Sequence, residues 1–236
     1  MKRTGESISQ ETVFIEKEAD SWFERNAQSI LEPAKANHPI IQALKQLPIN
    51  HPFTLIDLGG GSGKVSAGIM EVMPNCKATV VEPSAKAVRA GKETFPVIKF
   101  IQGSLTQATD MPACTFDIAL VCGVFTWIDR LLLSQAVANV DRLVKPGGYL
   151  AISDFETPYP RANPYHHHPG LFTYKQDYSL PFLALNLYTE VYHKAESLEA
   201  HSSSNSNDPY DTWWGTTILQ KDIQGRYQGQ TKPLLE

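Results

Sequence analysis

The stretch FTLIDLGGGSGKVSAGIMEVMPNCKATVVE, residues 53–82, decides the fold expected for this chain. It begins with the apolar run Phe53–Leu58, which predicts a buried parallel strand because its apolar residues are not confined to alternate positions. Four glycines between residues 59 and 63 follow, and a backbone without side chains turns tightly and admits a ligand closely. A helix over residues 64–73 and a second apolar run ending in Glu82 complete the pattern, which predicts a nucleotide-binding strand–helix–strand unit.

The spacing of these glycines distinguishes two kinds of nucleotide site. A phosphate-binding P-loop needs Gly, four residues and then Gly-Lys-Ser/Thr, but Leu58 occupies the first position and Val65 the last. The dinucleotide fingerprint G-x-G-x-x-G begins at Gly59 and Gly61 and meets Lys64 where its third glycine is required. The P-loop therefore fails at two positions, and a NAD or FAD site matches only in part.

The segment DLGGGSG, residues 57–63, resembles the first motif of the class I S-adenosylmethionine-dependent methyltransferases, usually D/E-x-G-x-G-x-G. The resemblance implies that S-adenosyl-L-methionine is the cofactor and S-adenosyl-L-homocysteine the product. It also implies that Glu82 binds both ribose hydroxyls, and charge-assisted bonds to a carboxylate are strong. The alternative is another Rossmann-like domain with a structural glycine turn. The implied cofactor-binding residues are Asp57, Gly59, Gly61, Gly63, Glu82, Pro83, Ser104, Leu105 and Cys122.

Three later segments bear on this resemblance. Ser104 follows the third predicted strand, where the family usually has an acid that binds the adenine amino group, and a serine can still accept that hydrogen bond. Residues 143–148, LVKPGG before a strand, resemble a specific signature of the same family. Many relatives carry histidines at the positions of Phe125 and Thr126, so in this chain a proton-accepting group must come from elsewhere.

The composition predicts one globular domain. A chain of 236 residues with 42% hydrophobic content supports one sizeable core. A net charge of -4 and a pI near 6.0 give no overall attraction to nucleic acid or to an anionic membrane. The longest apolar run, residues 118–128, is too short to cross a bilayer, and no N-terminal segment resembles a signal peptide. The three cysteines have no metal-ligand spacing and are expected to be buried, reduced thiols, which suits the cytoplasm.

The resemblance implies an α/β fold, with a Rossmann-like seven-stranded sheet, helices on both faces and an antiparallel C-terminal hairpin. Residues 188–198 and 212–220 suit that hairpin, with a Ser/Asn-rich loop between them. The ends, residues 1–8 and 223–236, are expected to be loose. The predicted organisation is a helical cover over residues 1–50 and a methyltransferase domain over residues 51–236, with a substrate-recognition insert at about 156–186.

Helical periodicity over residues 11–31 predicts a helix in the cover, in one or two pieces. Its segment DSWFERN, residues 20–26, resembles the leading helix of bacterial methyltransferases from glycan and natural-product clusters, where such a helix lies over the cofactor. The alternative is an amphipathic helix on the sheet edge, with Arg25 in solvent. Substrate-binding residues are expected in this helix, in the loop after the fourth strand and in the insert, and they are Trp22, Arg25, Phe125, Arg161, Asn163 and Tyr174.

The insert is marked by polar and aromatic residues that lie outside the shared pattern. Residues 159–178 include three adjacent histidines and four tyrosines, and prolines are expected to keep the first part out of regular structure. Neighbours in sequence point apart, which disfavours a metal site formed by the three histidines. A histidine-rich surface loop without a chemical role is a further alternative.

The expected function is methyl transfer, by in-line displacement, to an oxygen or nitrogen atom of a polar small molecule such as a sugar or a natural-product intermediate. The catalytic candidate is His167, with His166 and Tyr165 beside it, because an imidazole titrates near neutral pH and can receive a proton. The alternatives are an RNA or protein methyltransferase, an NAD-dependent oxidoreductase and a cofactor-binding protein without catalysis. No nucleic acid, membrane or metal is expected to bind, and the chain is expected to be a monomer or a homodimer.

Overall fold

The computed structural model describes residues 9–107, 110–197 and 210–227, and its centre is a seven-stranded sheet. A separate two-stranded hairpin lies beside it. The strands of both are β1 (Phe53–Leu58), β2 (Cys76–Glu82), β3 (Lys99–Gln102), β4 (Phe116–Cys122), β5 (Val144–Phe155), β6 (Arg161–Pro164), β7 (Phe172–Lys175), β8 (Tyr188–Ser197) and β9 (Trp213–Lys221).

The strand order is β3-β2-β1-β4-β5-β9-β8, and β1 to β5 are parallel. Strand β9 runs antiparallel to both β5 and β8. The predicted Rossmann-like sheet and its C-terminal antiparallel hairpin are therefore confirmed. The chain reverses its direction of travel across the sheet between β3 and β4, so a crevice opens at the carboxyl ends of β1 and β4, which is where such sheets bind ligands.

Helices cover both faces of the sheet, as predicted. Each buried strand sends alternate side chains to opposite faces, so both faces are apolar and both are covered. In β1, Phe53 and Leu55 enter one apolar cluster, while Ile56 and Leu58 enter the other. The helices are α1 (Gln10–Val13), α2 (Ala19–Ile30), α3 (Pro39–Leu44), α4 (Lys64–Val72), α5 (Ala85–Thr94), α6 (Leu133–Leu143), α7 (Leu180–Ala184) and α8 (Ile223–Arg226).

The N-terminal helix is interrupted by a π-helical turn, Phe14–Glu18, between α1 and α2. Such wide turns insert one residue into the helical repeat and occur often at functional sites. The sequence predicted a helix here in one or two pieces, and this interruption matches the second of these alternatives. Among the described residues, no helix is both long enough and apolar enough to cross a bilayer.

Three local predictions need correction. Residues 161–175 contain the β6–β7 hairpin, although prolines were expected to prevent regular structure, because Pro164 is the last residue of an edge strand and need not donate a ladder hydrogen bond. Cys114 is exposed, whereas Cys76 is buried. Residues 223–226 form α8, whose first turn is capped by the Asp222 side chain. The predicted loop over 200–209 and the ends 1–8 and 228–236 lie outside the described residues.

Candidate active site

A cavity of about 1010 Å³ opens at the carboxyl ends of the parallel strands. We call one part of its wall the glycine-loop end, which comprises Asp57, Gly59, Gly61 and Glu82. The hairpin end comprises Trp127, Phe155, Tyr165, Lys175, Asp211 and Trp214. Side chains of α1, the π-helical turn and α2 complete the wall, so the N-terminal helices lie against the same cavity.

At two positions of the glycine loop, Gly59 and Gly60, the surroundings leave no room for a side chain. Gly59 has φ +75°, and a Cβ there would stand 2.5 Å from Cγ2 of Val124. A Cβ at Gly60 would stand 2.5 Å from Cγ of Asp57. Gly61 has φ +57° with nothing within 4 Å of its Cβ position, so the loop leaves open space there. This shape fits a ligand that approaches the backbone.

Two buried carboxyl groups support the glycine loop. The Asp57 carboxyl accepts a hydrogen bond from Oγ of Ser66 at 2.8 Å. The Glu82 carboxyl accepts from the backbone N–H of Gly61 at 2.9 Å and from that of Ser84 at 2.8 Å. Burial raises the pKa of Asp57 and that of Glu82 to about 7 each. Glu82 therefore fixes the loop from the end of β2 and still lines the cavity.

A third carboxylate reaches the cavity from the N-terminal helix. Glu11 in α1 is buried and accepts a hydrogen bond from Oγ of Ser104 at 2.7 Å and another from the hydroxyl of Thr106. The Glu11 carboxylate therefore lies directly beside Ser104, the serine that follows β3. Sequence reasoning missed Glu11, because its partners lie more than 90 residues away.

At the hairpin end, Tyr165 is held by a carboxylate and a guanidinium. Its hydroxyl donates to Oε1 of Glu18 and accepts from Nη2 of Arg25, both at 2.9 Å, and Arg25 also pairs with Glu18. The Tyr165 ring meets Trp127 edge-on, with 4.8 Å between ring centroids. Burial, with the Glu18 hydrogen bond, raises the pKa of Tyr165 to about 12, so its hydroxyl remains protonated at neutral pH.

A buried ion pair lies beside these rings. Nζ of Lys175 is 2.7 Å from Oδ1 of Asp211, and the two side chains are 7% and 8% exposed. Nδ2 of Asn163 donates to the same oxygen at 2.6 Å, and the Lys175 ammonium lies 4.4 Å from the centre of the Phe155 ring. The pair joins the β6–β7 hairpin to the start of β9. Lys175 and Asp211 were also missed from the sequence.

One buried side chain connects the N-terminal helix to this end of the cavity. Nε2 of Gln10 donates to the carbonyls of Trp127 and Phe172, both at 2.9 Å, and its Oε1 accepts from the Phe172 N–H at 3.1 Å. Its own backbone N–H donates to Asp129 at 3.1 Å. Gln10 therefore links α1, the loop after β4 and strand β7. A glutamine at a helix start gave no sequence signal for this role.

Most of the residues predicted for the site lie on one cavity. Those on its wall are Asp57, Gly59, Gly61, Glu82, Pro83, Ser104, Leu105, Cys122, Trp22, Asn163, Tyr165 and His166. Those that the structure places off its wall are Gly63, Arg25, Phe125, Arg161, Tyr174 and His167.

Two of these predictions conflict with packing. Phe125 is fully buried and its ring stacks on Tyr178 at 5.2 Å, so its side chain cannot reach a substrate in the cavity. The Arg130 guanidinium lies 4.2 Å from the centre of the Tyr174 ring, and Tyr174 is not among the residues that line the cavity.

The other four predicted residues that do not line the cavity have identifiable neighbours. A Cβ at Gly63 would stand 2.8 Å from the Phe100 ring, so this glycine permits close packing. Arg161 lies over the Tyr159 ring at 5.3 Å. His167 is exposed, and its ring lies 3.9 Å from that of His166, which does line the cavity. Arg25 contacts the wall residue Tyr165, to whose hydroxyl its guanidinium donates at 2.9 Å.

Among the residues that the structure describes, the three histidines do not belong to a metal-binding cluster. Within the described parts of the chain, no cluster of three or more His, Cys, Asp or Glu side chains is placed to hold a metal ion. Partial loss of hydration, with the neighbouring His166 and Arg25, lowers the pKa of His167. The neutral form of this imidazole is therefore favoured at neutral pH.

Comparison with known proteins agrees with this geometry. Residues 55–148 match the family described as methyltransferase domain. The chain is 29% identical over 110 residues to trans-aconitate 2-methyltransferase from Azoarcus sp. strain BH72, a match that covers 46% of this chain and 42% of that protein. It is 28% identical over 117 residues to the enzyme of the same name from Rhodopseudomonas palustris strain BisB18, covering 48% and 43%. The chain thus spans less than half the length of these curated relatives.

A solved structure shares the fold over nearly the whole chain. It is 1,6-didemethyltoxoflavin-N1-methyltransferase from Burkholderia thailandensis, with 1,6-didemethyltoxoflavin and S-adenosylhomocysteine bound. It superposes with a TM-score of 0.66 at 15% identity and covers 94% of this chain and 93% of its own. The match over residues 55–148, with the sheet order and the position of the cavity at the carboxyl ends of the strands, identifies a methyltransferase domain in this chain.

Proposed function

We propose that this protein transfers a methyl group from S-adenosyl-L-methionine to an oxygen or nitrogen atom of a polar small molecule. The observation that supports the proposal most is a single cavity with two differently built ends, a glycine loop with Glu82 and an aromatic hairpin end. The names of the relatives, which refer to trans-aconitate and to 1,6-didemethyltoxoflavin, support a small molecule as the acceptor. We place the reaction in the cytoplasm and regard the acting species as a monomer or a homodimer.

The glycine-loop end supplies the groups proposed to hold the cofactor. Gly61 offers open space beside its backbone, and Glu82 offers a carboxylate whose position is fixed by two backbone N–H groups. A fixed carboxylate suits a pair of hydroxyl donors, because no side-chain freedom is lost on binding. When bound, S-adenosyl-L-methionine supplies an electrophilic methyl group, and the protein contributes position and the exclusion of water.

The hairpin end supplies the groups proposed to hold the acceptor and to take its proton. Of the adjacent histidines, His166 lines the cavity, and the ring of His167 lies 3.9 Å from the ring of His166. We therefore propose His166 as the proton acceptor, with His167 as its neighbour. Tyr165 keeps its proton at neutral pH and is proposed to orient the acceptor. Trp22 and Asn163, which also line the cavity, are proposed to contact the acceptor.

Calorimetric titration with S-adenosyl-L-methionine, S-adenosyl-L-homocysteine and NAD tests the cofactor assignment. Both sulfur ligands are expected to bind, and Glu82→Gln is expected to weaken them by about 10- to 100-fold, because one charge-assisted acceptor is lost. The exposed Glu93→Gln in α5 is the matched control and is expected to behave as wild type. If NAD binds and the sulfur ligands do not, an oxidoreductase replaces the methyltransferase as the function.

A further inference from the structure

The hairpin end of the cavity has a particular distribution of charge. Lys175 and Asp211 are both buried, and they neutralise each other at 2.7 Å. A buried ion pair is stable only while both partners remain, so Lys175 cannot serve a second anion without leaving Asp211 uncompensated. The ion pair therefore presents a dipole to the cavity and no net charge.

Two further basic residues near the cavity, Lys64 and Arg25, also have hydrogen-bond partners. Lys64 lines the wall, and its ammonium donates to the carbonyl of Ser29 at 2.6 Å. Arg25 pairs with Glu18 behind Tyr165. An acceptor with several carboxylates would need several cations, since burying an unpaired charge is costly. Because carboxylates neutralise Lys175 and Arg25, the hairpin end favours an acceptor without net charge.

Aromatic rings from two separate groups form the walls at this end. Phe14, Trp127 and Tyr165 form one group, with Trp127 at 5.4 Å from Phe14 and 4.8 Å from Tyr165. Phe155 and Trp214 form the other, at 5.0 Å. Flat, apolar walls of this kind bury the faces of a planar ring system well.

The second aromatic group stands next to the ends of the central strands. Nε1 of Trp214 donates to Oγ of Ser153 at 2.7 Å, so the indole is fixed against β5. A Cβ at Gly123, the residue after β4, would lie 3.4 Å from Cη2 of Trp214. A molecule beside Trp214 is therefore also beside the carboxyl end of β4, where the two ends of the cavity meet.

From these contacts we infer that the acceptor is an uncharged, planar heteroaromatic molecule. Its faces lie against the ring walls of Trp127 and Trp214, and its polar edge meets the cluster formed by Asn163, Lys175 and Asp211. The ammonium, the amide and the carboxylate of this cluster suit adjacent C=O and N–H groups of a heterocycle. This inference rests on the proposed function, because it assigns the acceptor at the same site.

Equilibrium binding in the presence of saturating S-adenosyl-L-homocysteine tests the inference. The probes are pteridine-2,4-dione and 4-quinolone as planar neutral rings, trans-aconitate as a tricarboxylate, and methyl glucoside as a neutral sugar. At least one heterocycle is expected to bind at least about tenfold more tightly than trans-aconitate and methyl glucoside. Binding of trans-aconitate or methyl glucoside as tightly as the better heterocycle, or no binding by either heterocycle, would overturn the inference.

Two variants and one control locate the binding to the hairpin end. Trp127→Leu removes a ring wall and Asn163→Ala removes part of the polar cluster, and each is expected to weaken heterocycle binding by about tenfold. S-adenosyl-L-homocysteine affinity is expected to change by less than about threefold in both, which also shows that they fold. Tyr159→Leu removes an exposed ring near the same hairpin and is expected to have no effect. Unchanged heterocycle binding in both variants would overturn the assignment.

The same titrations separate this inference from the proposed function. If wild-type protein does not bind S-adenosyl-L-homocysteine at all, the proposed function fails. If S-adenosyl-L-homocysteine binds normally and the heterocycles do not, the proposed function stands and only the acceptor class is wrong.

Discussion

At the glycine-loop end of the cavity, the N–H of Gly61 bonds the carboxylate of Glu82, which is 21 residues away in the sequence. At the hairpin end, Gln10 bonds Phe172, which is 162 residues away. The first end is built from backbone turns within one strand–helix–strand unit. The second is built from side chains that three distant segments bring together.

This difference has an energetic meaning. Local contacts cost little chain entropy, whereas contacts between distant segments form only when the rest of the fold is in place. The glycine-loop end also belongs to the central strands, while the hairpin end depends on a two-stranded sheet at the surface. We expect the glycine-loop end to be rigid without ligand and the hairpin end to open more easily.

The largest expected effect comes from adding a methyl group to the glycine loop. Gly59→Ala would place a Cβ 2.5 Å from Val124 at φ +75°, so the loop must shift. We expect S-adenosyl-L-homocysteine affinity to fall by more than about 100-fold, by calorimetry, with a further loss of about 1–2 kcal/mol in folding stability from the left-handed backbone. Gly170→Ala is the control, because Gly170 has φ +90° but nothing within 4 Å of its Cβ position. This variant has the backbone strain without the steric clash and should bind S-adenosyl-L-homocysteine normally. Equal losses in both variants would refute the steric explanation.

The second-largest expected effect is a local loss of stability that is confined to the hairpin end. Gln10→Ala removes three side-chain hydrogen bonds to Trp127 and Phe172. Hydrogen exchange of the β6–β7 amides is expected to accelerate by about 10- to 100-fold, while S-adenosyl-L-homocysteine affinity changes by less than about threefold. The exposed Gln28→Ala in α2 is the control. A comparable loss of affinity at the glycine loop would show that the two ends are not independent.

A pH effect of intermediate size is expected at the glycine-loop end. Burial raises the pKa of Asp57 and of Glu82 to about 7, above the unfolded value of about 4. The folded state therefore binds protons that the unfolded state has released. Stability from this source is complete below pH ~4 and is lost as the pH rises through about 7. The free energy of unfolding, from denaturant titration without ligand, should fall between pH 5 and pH 8.

Asp57→Asn identifies the source of that pH dependence. The neutral amide can still accept from Ser66, so this variant is expected to flatten the pH profile and to gain about 1–3 kcal/mol at pH 8. The exposed Asp110→Asn is the control. A profile as steep in Asp57→Asn as in wild type would mean that the pH dependence lies elsewhere.

The smallest effect is a gain in stability near the junction of the two ends. The Thr126 hydroxyl is buried and has no hydrogen-bond partner among the described residues. Thr126→Val is therefore expected to raise the free energy of unfolding by up to about 1 kcal/mol, because a buried unpaired hydroxyl is removed. Thr106→Val, which loses a bond to Glu11, should lower it by about 1–2 kcal/mol. A loss of stability in Thr126→Val would indicate that its hydroxyl has a partner in solution.

The sequence predicts the two ends of the cavity unequally. Strand β1 has the predicted limits Phe53–Leu58, and Glu82 lies on the cavity, because apolar runs and glycine spacing depend on neighbours in the chain. Glu11 and Lys175 were missed, since an acid or a lysine acquires its role from a partner on another segment. Phe125 was misplaced because an aromatic residue after a strand fits a core as well as a binding site.

The π-helical turn Phe14–Glu18 has a consequence for how the N-terminal segment tolerates changes in length. Each residue of a helix advances by about 100° around the axis, so deleting one residue from this turn would rotate α2 by that angle relative to α1. Glu11 would keep its bonds to Ser104 and Thr106, while Trp22 would leave the cavity. Substitutions of the exposed residues in this turn should therefore be tolerated far better than single-residue deletions. The number of residues in the turn determines which side of α2 points into the cavity when α1 is in place.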